Sequence, residues 1–137
     1  MTTQKFTIST ESIQATIQQY FAASRGNNKA EDMVACFAEN CVSYDPADGP
    51  ALNGTAEVHQ FFQAIVDLFS TVGLTEEFVS INGQAAAVKW TGHGTGKNGR
   101  EVTFEGIDLF EFSADGKIQS LKAYWNPTAM LVELGVP

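Results

Sequence analysis

Basic residues are scarce in this chain. Eight Lys and Arg stand against sixteen Asp and Glu in 137 residues, a formal net charge of −8, and no Lys/Arg cluster appears. Nothing offsets repulsion from phosphates, so a nucleic-acid partner is not expected. Long apolar runs are missing too. None approaches the ~20 residues of a membrane span, and the opening segment MTTQKFTIST is polar with no apolar signal region. The expectation is therefore a cytoplasmic chain with no membrane partner. Cysteine is limited to Cys36 and Cys41, five apart across a helix end and a strand start. A chain of this length does not need a staple, and both read as buried reduced thiols. With His59 and His93 they are the only soft ligands, and no two of the four have a zinc-site spacing, so no structural metal is expected.

Apolar residues are plentiful, at 44% with ten Phe, enough to fill a core and still line a pocket. The length fits one domain over residues 1–137. Residues 1–8 read as a flexible N-terminal segment and 127–137 as a C-terminal tail with a short helix.

The elements follow from period and punctuation. Ser9 or Thr10 caps a first helix to Arg25, with Ile13, Ile17, Tyr20, Phe21 and Ser24 on one face. Asn28 and Glu31 have the spacing of a capping box for a second helix bearing Met33, Cys36 and Phe37. Cys41 to Asp45 is a brief strand stopped by Pro46, and ADGPALNG is turn chemistry. Thr55 caps a third helix to about Ser70, with Phe61, Phe62 and Phe69 in its stripe and Gly73 closing the loop beyond. Strands follow from Phe78, separated by Asn82-Gly83, Asn98-Gly99 and Asp115-Gly116, and Asn126-Pro127 starts a last helical turn. Helices first and strands afterwards make an α+β fold, a curved antiparallel or mixed sheet with three N-terminal helices enclosing a cone. Glycines 92, 94, 96 and 106 fit bends and bulges that curl the sheet.

One stretch organises this picture. In Arg100 to Phe112, alternate residues put Val102, Phe104, Gly106, Asp108, Phe110 and Phe112 on one face. The other face carries Glu101, Thr103, Glu105, Ile107, Leu109 and Glu111, half charged and open in part to a second subunit. Asp108 is the anomaly. A carboxylate among large apolar side chains pairs, hydrogen-bonds or stays protonated with a raised pKa, and each outcome marks a candidate site. A structural Asp bound to a buried partner is the alternative. Asp45 closes a strand, where an Asp before Pro also serves as ordinary turn initiation. Tyr20 lies on an amphipathic stripe, where a core tyrosine is the plain reading. His93, in GHGTG, is a minor candidate for acid or base, though a hairpin end is more often solvent-facing. Those glycines lack the following helix that a phosphate cradle needs.

The chain resembles the NTF2-like superfamily, including its SnoaL-like members, and within it the bacterial ketosteroid isomerases. The resemblance runs from about Tyr20 to Asn126. It is densest in Phe37-Ala38-Glu39-Asn40, Tyr44-Asp45-Pro46, Leu52-Asn53-Gly54, Ile107 to Phe112, and Gly116-Lys117-Ile118-Gln119 through Ala123-Tyr124-Trp125. It implies Asp45 as a general base of near-ordinary pKa, and Asp108, held protonated, with Tyr20 as donors to an oxyanion. It also implies a cofactor-free isomerase acting beside the ketone of a flat, apolar ligand, held by Trp125, Phe62, Phe104, Phe110 and Phe37. A homodimer through the outer sheet face is the family expectation. Phe62 stands where some isomerases have a second tyrosine, and Gly26 to Asp45 is about two residues longer than in them. The superfamily also hosts cyclases, dehydratases, hydrolases and non-catalytic binding modules, and these remain open.

Overall fold

A computed structural model describes residues 8–136. The stripe expected of the first helix is the stripe observed. Helix α1 spans Thr10–Ser24, Ser9 Oγ accepts from the Ser12 N–H at 3.1 Å, and Ile13, Ile17, Tyr20, Phe21 and Ser24 are its buried residues. Helix α2 is short, Lys29–Val34. Its expected capping box does not form: Asn28 makes no side-chain cap, and the Glu31 carboxylate instead pairs with His59 Nε2 at 3.2 Å.

Strand β1, Phe37–Tyr44, starts earlier than the sequence suggests. Phe37 leaves the helical stripe because a parallel partner claims its backbone: Phe37 registers with Ile118, and the Ile118 N–H donates to Cys36 O at 2.8 Å. After the two-residue β2, Leu52–Asn53, helix α3 runs over Gly54–Val66. Its cap is Asn53 rather than Thr55. Gly54 begins the helix at φ +82°, a left-handed value that glycine tolerates without a Cβ clash. The Glu57 carboxylate accepts from the Asn53 N–H at 2.8 Å.

Four strands follow: β3 Phe69–Asn82, β4 Ala85–Gly96, β5 Glu101–Phe112 and β6 Ile118–Trp125. Phe69 opens β3 rather than continuing α3, and Gly73 lies inside the strand. The cause is the partner, since β3 pairs with β4 from Phe69↔Gly96 to Asn82↔Ala85. Register shifts at Phe69/Thr71 and Glu76/Phe78 reset the alternation, so no clean period of two was there to be read. The sheet order is β2-β1-β6-β5-β4-β3, mixed because β1 and β6 run parallel.

The central strand β5 presents its faces as the alternation requires, with Val102, Gly106, Asp108, Phe110 and Phe112 buried and Glu101, Thr103, Glu105, Ile107, Leu109 and Glu111 exposed. Its pairing with β4 has no register shift, so the glycines there are not bulges. They make room instead. A Cβ at Gly92 would meet the Phe104 ring at 2.5 Å, one at Gly94 the Phe69 ring at 2.6 Å, and one at Gly96 Leu134 at 2.6 Å. Large side chains thereby lie flat across β4 and draw the sheet around them.

The main core lies between the helices and the inner sheet face, with Phe21, Phe110, Ile118 and Leu121 among its fully buried members. Helix α4, Pro127–Leu134, is more than a tail. Asn126 Oδ1 accepts from the Ala129 N–H, and Met130 and Leu134 bury themselves against Phe69 and Val102 in a second cluster. The expected flexible N-terminus lies outside the described residues except for Ile8, which packs against the main core. Among the described residues no helix is long and apolar enough to cross a membrane.

Candidate functional site

A narrow, mostly apolar cavity of about 60 Å³ lies between the helices and the inner sheet face. Tyr20 from α1, Asp45 from the end of β1, Asp108 from β5 and Trp125 from β6 all line it, together with Phe62 and Phe104. Two expected lining residues do not. Phe37 and Phe110 are buried behind the cavity, packed on the Tyr20 ring at centroid distances of 5.9 and 5.6 Å. They hold the tyrosine from the back. His93 is also outside, exposed on β4 with Nδ1 3.2 Å from Thr103 Oγ1.

Each polar group owes its place to a specific neighbour. Asp45 follows β1, whose parallel pairing with β6 sets Tyr44 opposite Lys122, and the Ala47 N–H donates to Ala123 O at 2.7 Å. That fastens the turn against Trp125. The Trp125 indole Nε1 then donates to Asp45 Oδ1 at 2.6 Å, joining rim and wall. Asp108 lies opposite Val88 on β4 and Ala123 on β6, beneath a small residue that leaves it open to the cavity. Tyr20 is 2% exposed, with edge contacts to Phe21, Phe37 and Phe110 and a tilted contact to Phe62.

Burial dominates the electrostatics. Asp108 is 2% exposed, and desolvation, then the nearby Asp45 charge, holds its carboxyl well above the usual range. The Trp90 indole N–H pulls weakly the other way. It stands close enough to favour the charged form, yet neither Trp90 Nε1 nor Asp108 Oδ1 completes a hydrogen bond. Tyr20 is likewise raised, first by burial and then by Asp108, Asp45 and Cys36. Both shifts favour the neutral, proton-donating form. Asp45 departs from the ordinary value that the resemblance implies. Part of the residue is open at the rim, but the carboxyl itself is enclosed, and desolvation lifts it to about 7 against the pull of the Trp125 N–H. Such a group exchanges its proton readily at neutral pH.

Lys29, Ser24 and Trp90 are among the lining residues that were assigned no site role from sequence. Among the described residues Lys29 is the only Lys or Arg lining the cavity. Its Nζ donates to Ser24 O at 2.9 Å, and burial lowers its pKa. Ser24, with its hydroxyl on Phe21 O and the Leu74 backbone, ties α1 to β3 beside it. Trp90 shares the inner face of β4 with Val88, so its direction was legible but its role was not. No group of three or more His, Cys, Asp or Glu side chains among the described residues is placed to hold a metal ion.

The profile of the SnoaL-like domain family matches residues 17–121, and the chain belongs to that family. Its fold is the NTF2-like one. It is similar to a steroid Delta-isomerase of Nocardioides simplex, 26% identical over 121 residues that cover 88% of this chain and 94% of that one. Among solved structures it is similar to SalBIII, an epoxide hydrolase/cyclase-like enzyme of pyran ring formation in the polyether salinomycin, with TM-score 0.74, 23% identity, and 86% and 93% of the two chains covered. It is also similar to a protein of ketosteroid isomerase-like fold from Catenulispora acidiphila, with TM-score 0.77, 17% identity, and 89% and 93% covered. At these identities the structures speak for the fold alone.

Proposed function

We propose that the chain is a cofactor-free isomerase that moves a proton next to a ketone on a flat, apolar ligand. The observation that carries this is the placing of two carboxyls in one apolar cavity, Asp108 buried and held well above the usual range by desolvation, and Asp45 near the rim, lifted to about 7. In this reading Asp45 takes the proton from the carbon beside the carbonyl. Asp108 and Tyr20 donate to the oxygen as charge grows there, in a site where fixed donors replace water. Asp45 then returns the proton to a different carbon. Phe62, Phe104 and Trp125 flank the plane of the ligand. The likeness to a steroid Delta-isomerase supports the ketone, and the aromatic lining supports a rigid ring system.

The experiment is conversion of a β,γ-unsaturated ketone of steroid-like shape, followed by the absorbance of the conjugated product. The expected result is turnover that falls by roughly 10²–10⁴-fold in Asp45→Asn, the usual cost of losing a general base. Recovery of bound ketone unchanged would make the chain a binding module. A cyclised, dehydrated or hydrolysed product would assign it another chemistry found in this superfamily.

We also propose that two copies pair through the outer sheet face. The register Phe78↔Lys89, Lys89↔Ile107 and Ile107↔Tyr124 lines up one row across four strands. In it Phe78, Ile107 and Tyr124 are 66%, 45% and 51% exposed, with Leu109 alongside at 41%. These exposed apolar side chains, interrupted by Lys89 with its ion pairs to Glu77 and Glu105, favour burial against a copy of the same face.

A further inference from the structure

Among the described residues, three buried side-chain polar atoms lack a hydrogen-bond partner, and two of them, Trp90 Nε1 and Asp108 Oδ1, belong to residues lining the same cavity. Trp90 is 3% exposed and Asp108 2%. A buried donor without an acceptor is destabilising, and a phenylalanine at position 90 would avoid that loss. The position of the indole is also tightly determined. Trp90 pairs with Gly106 across β4 and β5, and a Cβ at Gly106 would meet Trp90 Cζ2 at 2.5 Å and Trp125 Cβ at 2.8 Å. Cζ2 adjoins the ring carbon that carries Nε1, so the N–H edge of the indole is the edge that lies over β5. Asp108 is two residues further along the same face of that strand, a diagonal neighbour within an indole's reach. The rings of Phe104 and Trp125, both edge-on to the indole with centroids 5.9 and 6.0 Å away and 5.7 Å from each other, pack as a pair against it and restrict its rotation.

We propose that the Trp90 indole N–H is a third donor of the cavity floor, taking with Tyr20 and Asp108 the ligand oxygen on which negative charge develops. This rests on the isomerase reading for the identity of that oxygen. It also narrows the ligand class: three converging donors favour an oxygen that carries negative charge, enolate- or phenolate-like, over a neutral alcohol.

The test uses ¹⁵N-labelled full chain titrated with flat phenols, such as substituted 2-naphthols graded in acidity, which mimic the enol. The chain has two tryptophans, so two indole N–H signals are observed, and Trp125→Phe identifies the remaining one as Trp90. The expected result is a downfield movement of the Trp90 signal at saturation that grows with naphthol acidity, and binding weakened about 10- to 100-fold in Trp90→Phe. If naphthols saturate the protein, Tyr20→Phe weakens them and the Trp90 signal stays put, Trp90 is a wall and the proposal is overturned while the isomerase reading stands. If no naphthol binds, both fall. The signal movement in the unsubstituted indole decides the matter even if Trp90→Phe does not fold.

Discussion

Replacing Asp45 with Asn is expected to stabilise the fold, by an amount that depends on pH. The wild-type carboxyl has an ordinary value of 3.8 and is lifted to about 7 in the folded chain. Between those values the unfolded chain has released the proton and the folded chain keeps it, so wild-type stability falls as pH rises. The slope is about 1.4 kcal/mol per pH unit, and across the interval the loss reaches about 4 kcal/mol. Because part of Asp45 stays open at the rim, ~2–4 kcal/mol is the range to expect once solvent screening is allowed for. Below the ordinary value both states are protonated and the penalty vanishes. Above about 7 it is constant. Asp45→Asn lacks this dependence, since its amide is neutral throughout and its carbonyl can still accept from Trp125 Nε1. Urea unfolding of both proteins at half-unit steps from pH 4 to 8 gives the difference directly. Burial, the larger cause of the Asp108 shift, is common to both proteins, whereas the smaller part that comes from the Asp45 charge is lost in Asp45→Asn. A stability difference that is flat across this range would show that Asp45 is not desolvated, and the base assigned to the site would lose its physical basis.

Four further outcomes follow from the same geometry. With an active ketone, kcat/KM should rise with pH through about 7 and then level off, because Asp45 acts ionised while Asp108 and Tyr20 remain protonated above it; a pH–rate profile checks this. Asp108→Leu should abolish turnover yet unfold at equal or higher urea, since it removes a buried carboxyl with an unpartnered oxygen. Gly92→Ala should cost about 1–3 kcal/mol in the same assay, as the added Cβ would meet Phe104 at 2.5 Å. Ile107→Lys should shift the chain from dimer to monomer in sedimentation without altering the cavity, because its side chain lies on the outer sheet face.

What could be read in advance was whatever has a clean local period. The five-residue stripe of α1 and the alternation of β5 are set by 3.6- and 2-residue repeats, and both placed Tyr20 and Asp108 inward without further help. Strand β3 was hidden because two register shifts break its alternation, and its first residue, Phe69, fits a helical stripe equally well. Phe37 and Phe110 show the same limit at the site. Apolar character states that a side chain is buried, not whether it faces a cavity or backs one. The upward shift of Asp45 depends on enclosure by elements far along the chain, of which Trp125 is eighty residues away, and no local pattern carries it. Trp90 is similar, its N–H direction being set by the missing side chain of Gly106 on another strand.

The most direct measurement is a titration of the Asp45 and Asp108 side-chain carboxyls by carbon-detected NMR on labelled protein. The account predicts that Asp45 titrates at about 7 and that Asp108 titrates well above the usual carboxylate range. Two carboxyls titrating together near 3.8 would contradict it, because a solvated pair supplies neither a neutral donor nor a base poised for proton transfer.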